Sequence, residues 1–333
     1  MASSRPLSAL LTNKTRFVKA TIVFLISGLE NSARVDSSLM MRREVLFWFG
    51  ASLARLADGL PANRNVRWAF GSNLWNSYPG TRFVDILDVM RDTGFIGLRL
   101  TQYPQIFSKY GIPPGQLERE LSARGLYLIT ISFNGAADDP AQHSQILARA
   151  RDAMDFLRRF GADRLVVFSP RRGKPPQAFA TMCHFYNQLG ELAGEKGFKA
   201  GLHNHLGQMV QTPEEIDQCM GMTDPKLFYF SPDTAHVYLG GGDPASIMEK
   251  YKHRLMMADY KDAKRAGLGP VYAPNTFDLG DGEIDFRACH QMLRNIKFES
   301  WLCVDLDIAR NGPLASYRRC GAYIARSIEP IYA

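Results

Sequence analysis

From Trp68 onward the chain alternates short apolar, β-rich runs with longer stretches whose apolar residues recur at i, i+3 and i+4. Eight runs carry the first pattern, at 68–75, 97–103, 127–134, 164–169, 199–206, 227–233, 255–260 and 301–307. The second pattern covers 83–93, 144–160, 179–196 and 284–295, and glycines at 94, 161 and 197 supply helix stops. Strands that alternate with helices predict parallel βαβ units, and eight such units predict an α/β fold, a single-domain (β/α)8 TIM barrel over 62–333. No Gly-rich dinucleotide fingerprint follows any run, and Gly240, Gly241 and Gly242 read as a turn between the sixth strand and its helix. Without a repeat or low-complexity linker, no internal boundary divides the barrel.

Barrels of this kind react where strands end, so polar residues that close apolar runs are the candidates. The fifth run ends Gly201-Leu202-His203-Asn204-His205, and period two puts His203 and His205 on one face, at the barrel mouth. The sixth ends Asp233-Thr234-Ala235-His236, a carboxylate and an imidazole suited to a divalent metal or to hydrogen bonding with hydroxyls. An aspartate here also suits a helix cap, but the accompanying His236 favours function. The seventh holds Asp259 and Lys261 on one face, whose structural alternative is an internal ion pair. The eighth ends Val304-Asp305-Leu306-Asp307, and Asp305 is the preferred site carboxylate because a closed barrel gives this strand no free edge. Trp75 and Tyr78 at the exit of the first run suit stacking on a bound ligand, and core packing suits Trp75 equally. The loop Gly280-Asp281-Gly282-Glu283-Ile284-Asp285-Phe286 permits a tight turn into a helix N-terminus.

Composition narrows the classes. A hydrophobic content of 46% excludes global disorder, and the net charge of +7 is spread along the chain, not gathered into a nucleic-acid stripe. The five cysteines lie far apart without a CxxC pair, so they read as small buried hydrophobes. Residues 21–29 are apolar but far short of the roughly twenty a membrane span needs. From Met40 a basic pair, Arg42 and Arg43, precedes an apolar stretch and small residues at 59–62, the order of a twin-arginine export signal. That order predicts a leader over 1–61, a mature barrel from 62, and an exported, periplasmic location without a membrane anchor.

The segments HNH at 203–205, DTAH at 233–236, DYKD at 259–262, GDGEIDF at 280–286 and WLCVDLD at 301–307 together resemble the xylose-isomerase-like sugar isomerase and epimerase superfamily. The resemblance covers 68–328 and implies a barrel that binds one divalent ion, manganese, cobalt, magnesium or zinc. The family ligands, a glutamate, an aspartate, a histidine and a glutamate, fall here at His203, Asp233, Asp259 and Asp305, and only Asp233 keeps its type. One histidine and three carboxylates suit a hard or borderline ion. The paired glutamates that move protons in the epimerases correspond to His203 and Asp305.

Within the superfamily, HxH, the start of a helix at Thr212-Pro213-Glu214-Glu215, DTAH and Pro313-Leu314 resemble inosose dehydratases, which implies loss of water from a keto-polyol. The expectation is an enzyme that abstracts a proton alpha to a carbonyl of a small carbohydrate or cyclitol. His205 and His236 would bind or protonate substrate, and Lys261 would hold the enolate oxygen. A sugar-binding barrel without catalysis is the alternative from another class. An abasic-site endonuclease would need metal-binding histidines and glutamates that the sequence lacks. No nucleic-acid or membrane partner is expected, and the reading leaves room for a homo-oligomer.

Overall fold

A computed structural model describes residues 65–265 and 272–332. The leader expected at 1–61 lies outside them. Barrel strands are β1 (Val66–Gly71), β2 (Gly97–Leu100), β3 (Tyr127–Phe133), β4 (Arg164–Phe168), β5 (Lys199–His203), β6 (Phe228–Phe230), β7 (Ala258–Tyr260) and β10 (Ser300–Val304). A two-stranded ribbon, β8 (Asp262–Ala263) with β9 (Thr276–Phe277), sits beyond β7. The barrel strands are parallel and run in the order β6-β5-β4-β3-β2-β1-β10-β7. Bridges at Phe230–Leu255 and Asp233–Asp259 close the ring between β6 and β7. The bonds from Met256 N to Phe230 O at 3.0 Å and from Asp259 N to Pro232 O at 2.8 Å belong to the same seam. All eight expected strands are therefore present in a closed barrel.

Around it run α1 (Phe83–Asp92), α2 (Gln105–Tyr110), α3 (Pro114–Arg124), α4 (His143–Arg158), α5 (Pro176–Glu195), α6 (Pro213–Met222), α7 (Thr234–Leu239), α8 (Pro244–Lys250), α9 (Phe286–Asn295) and α10 (Pro313–Tyr323). Gly94, Gly161 and Gly197 follow α1, α4 and α5 with φ of 82°, 70° and 73°, the left-handed geometry that ends a helix. A complete capping box opens α6, where Thr212 and Glu215 satisfy each other's backbone N–H groups. The glycine triplet does not join β6 to its helix as expected. Asp233 starts α7 directly, and the triplet links α7 to α8 with Gly241 at φ +101°. A helix of six residues is too short to announce itself by periodicity.

Period two divides each strand between two cores. Outward residues such as Phe70, Leu98, Leu202, Phe230, Tyr260, Leu302 and Val304 join the large layer under the helices. Inward residues Ala69, Ile129, Val166, Met256, Met257, Trp301 and Cys303 fill the barrel. Gly97 makes room for this filling, because a Cβ there would lie 2.5 Å from the Trp301 ring. Below it Arg164 donates to Met256 O and Ser300 Oγ. All five cysteines are free and buried.

Candidate functional site

One step above the apolar filling, the inward positions turn polar. Gly71, Arg99, His203, Asp259 and Asp305 continue the inward rows of their strands, and Asp233 closes β6. Gly71 is required there, since a Cβ would stand 2.2 Å from Asp305 Oδ1 and 2.7 Å from Asn73 Oδ1.

Arg99 organises one half of the site. Its Nη1 lies 2.5 Å from Asp259 Oδ2 and its Nη2 2.7 Å from Asp305 Oδ1, with all three side chains buried. Lys261 organises the other, with Nζ at 2.8 Å from Asp307, 2.9 Å from Asp305 and 3.3 Å from Asp233. Asp305 thus gives one oxygen to each cation. The ion pair expected for Lys261 forms with these three acids; Asp259 pairs with Arg99. Lys261 therefore stands as a cation shared among three acids.

The imidazoles gather beside this lattice. His203 Nδ1 lies 2.9 Å from Asp259 Oδ2, and its Nε2 is 4.0 Å from Asp233 Oδ2. His205 and His236 overlap with ring centres 3.9 Å apart, and Tyr272 meets His236 edge-on at 4.6 Å. Bonding partners suggest the tautomers. His205 Nδ1 lies 2.6 Å from Leu206 O and so donates, which leaves Nε2 to accept from Tyr272 OH at 3.2 Å. His236 Nδ1 accepts from Leu206 N at 3.3 Å, which puts the proton on Nε2. Asp233 works twice: Oδ1 caps α7 by accepting from His236 N at 3.0 Å, while Oδ2 is ion-paired to Lys261 at 3.3 Å and makes no hydrogen bond. Nor does His236 Nε2, 3.9 Å away.

Burial dominates the electrostatics. It pushes Asp233 up to about 6 against the pull of Lys261 and His203. Asp259 rises to about 7 for the same reason, despite Arg99. Desolvation lowers His203 to about 3, His205 to about 4 and His236 well below the ordinary histidine value, so the three rings are neutral. Burial also opposes charge on Lys261 and Arg99, but the surrounding acids more than offset it and both stay protonated. Asp305 is held below the usual carboxylate range because Arg99 and Lys261 outweigh its burial.

Every residue singled out on strands five to eight converges here. The aromatic pair does not: Trp75 is packed in the core, and half-buried Tyr78 donates its hydroxyl to Ala309 O at 3.0 Å. The motif at 280–286 is a clamp beside the site, in which Asp262 accepts from the N–H groups of Gly280, Gly282 and Ile284 at 2.9, 2.9 and 3.2 Å. Arg99 and Tyr272 were not foreseen. Arg99 had a readable signal, a charged residue inside the apolar run Gly97–Leu100 on the inward face. Tyr272 had none, since it stands in an aperiodic loop.

His203, Asp233 and His236 form a possible metal site, with one ligand atom from each within 4.8 Å of the others. Its donors are partly committed, because Lys261 shares Asp233 Oδ2 and Leu206 fixes the proton of His236 on the facing nitrogen. The four-residue set implied by the family fits less well. Both oxygens of Asp305 and Oδ2 of Asp259 are ion-paired to side-chain cations.

Known proteins share this architecture. Residues 83–319 match the family described as Xylose isomerase-like TIM barrel. The inosose dehydratase of Clostridium tetani is 36% identical over 156 residues, 41% of this chain and 51% of that protein. The chain thus spans about half the length of that relative. The inosose dehydratase of Bacillus licheniformis is 32% identical over 218 residues, 58% of this chain and 73% of its own. Among solved structures, the IolI protein with a binding zinc atom aligns with a TM-score of 0.65 at 13% identity, over 78% of this chain and 99% of that one.

Proposed function

The chain belongs to the xylose isomerase-like TIM-barrel family of sugar isomerase- and dehydratase-type enzymes, and we propose that it eliminates water from a keto-polyol, a small sugar or cyclitol bearing a carbonyl. Isomerisation, epimerisation and elimination all begin with loss of a proton alpha to that carbonyl. They differ in where the proton goes next. Epimerisation returns a proton to the opposite face, whereas elimination can take the proton and protonate the departing hydroxyl from one side.

The observation that supports elimination is the proximity of Asp233 Oδ2 and His236 Nε2, buried on the same side of the barrel 3.9 Å apart, neither in a hydrogen bond and the carboxylate oxygen ion-paired to Lys261 at 3.3 Å. Diametrically across the ring, the ends of β1 and β2 present Ser72, Asn73 and Arg99. Among these described residues none takes up a proton near neutral pH. In this reading Asp233 removes the alpha proton. The Nε2–H of His236 donates to the oxygen on which charge develops, as a neutral imidazole in a dry site does well. Asp233 then passes its proton to the adjacent hydroxyl, the C–O bond breaks, and water leaves. His205 and Tyr272 bind substrate hydroxyls, and His203 stands beside Asp259 at 2.9 Å. No step runs through a divalent ion, because Arg99 and Lys261 hold the acids that would bind one.

The test is incubation of purified protein with a panel of keto-inositols and keto-sugars, followed by mass spectrometry. Products lighter by one water are expected, and Asp233→Asn should abolish them while the variant still unfolds cooperatively. The paired Arg42 and Arg43 ahead of an apolar stretch support the further proposal that the chain is exported.

A further inference from the structure

We infer that Arg99 and Lys261 are resident cations that take over the charge role of the family's divalent ion, so that this chain holds its site together without one. The inference rests on the reading above only in treating these residues as the reaction centre.

The argument begins with charge. Four buried or half-buried carboxylates, Asp233, Asp259, Asp305 and Asp307, meet in one region, and acids so crowded need positive charge between them. In a metal centre an ion supplies it. Here every one of the four is paired with a guanidinium or an ammonium instead.

Geometry points the same way. Lys261 Nζ stands within 3.3 Å of oxygens from Asp233, Asp305 and Asp307, bridging carboxylates at the ends of two strands as a shared ion would. Arg99 reaches from β2 to bridge Asp259 on β7 and Asp305 on β10 with separate nitrogens of one rigid fork. Gly71 leaves the space that this bridge occupies. The family resemblance implies a histidine ligand at position 259. An imidazole there would repel or ignore Arg99, whereas Asp259 binds it, so the residues at 99 and 259 form a matched pair. Asp259 also lies 2.9 Å from His203 Nδ1, so its Oδ2 is crowded between a guanidinium and an imidazole.

The experiment uses the full-length protein dialysed against EDTA and titrated with Mn²⁺, Co²⁺ or Zn²⁺, read by calorimetry and by thermal melting. Wild type is expected to bind no stoichiometric ion and to melt at the same temperature with or without one. Arg99→Met uncovers Asp259 and Asp305, so its melting temperature should fall and added ion should restore part of the loss, with affinity at least about tenfold above wild type. If Arg99→Met does not fold, Lys261→Met, which uncovers Asp233, Asp305 and Asp307, is read in the same way. One equivalent of ion in wild type, lost on Asp233→Ala, would overturn the inference, and so would the absence of any gain in the folded variant. No substrate enters these measurements, so failure to turn over a keto-polyol leaves their outcome intact.

Discussion

Arg99 and Asp259, 160 positions apart in the chain, meet at 2.5 Å with both side chains out of solvent. Strand β2 and strand β7 do not touch in the ring, so this contact ties the barrel across its mouth. It also decides what the acids of β7 and β10 are free to do.

Removal of one member of a buried pair leaves the other uncompensated. Arg99→Met should therefore cost about 3–5 kcal/mol in urea unfolding, while Arg99→Lys, which keeps charge but loses the fork, should cost less. Equal stability of Arg99→Met and wild type would show that the pair contributes nothing.

Gly71→Ala tests the same region sterically. Its Cβ would meet Asp305 Oδ1 at 2.2 Å, so Asp305 or the end of β1 must move. A loss of about 1–3 kcal/mol is expected, together with turnover reduced well below wild type. Normal turnover in this variant would mean that the position of Asp305 is unimportant.

Asp262 is predicted to be architectural. Three backbone N–H groups of the 280–286 loop depend on it, and Asp262→Ala should destabilise by about 2–4 kcal/mol. Asp262→Asn should recover part of this, because its amide oxygen still accepts. A stable, inactive Asp262→Ala would reassign the residue to the chemistry.

How much of this was readable follows from residue spacing. His203, Asp259 and Asp305 could be placed in the mouth because period two fixes the inward face once the apolar row is known, and Trp301, Cys303, Asp305 is such a row. Arg99 lay in an equally clear row, but its neutralising partners stand on distant strands and only the closed ring brings them together. The proton on His236 was invisible for a related reason: it depends on the N–H of Leu206, a loop contact with no sequence pattern. In sequence a helix cap and a site acid look like alternatives for Asp233, whereas a carboxylate has two oxygens and uses one for each.

Acid sensitivity should come partly from His290, which is buried against Trp68, Tyr260 and Tyr332 and lowered by desolvation to about 4. The unfolded chain protonates this ring below about 6.5 while the folded one does not. Its contribution is therefore fully present above pH 6.5 and is lost as the pH falls from there toward 4, on the order of 3 kcal/mol in all. His290→Gln should flatten the pH dependence of the urea midpoint in that window. Coincident slopes for variant and wild type would assign the sensitivity elsewhere.

The most direct measurement follows a keto-inositol in deuterated water with wild type and with Asp233→Asn, by proton NMR and mass. Elimination from one side predicts a dehydrated product from wild type and none from the variant, which should still unfold cooperatively. An epimer or isomer that carries deuterium and retains all its oxygens, or undiminished turnover by Asp233→Asn, would contradict it.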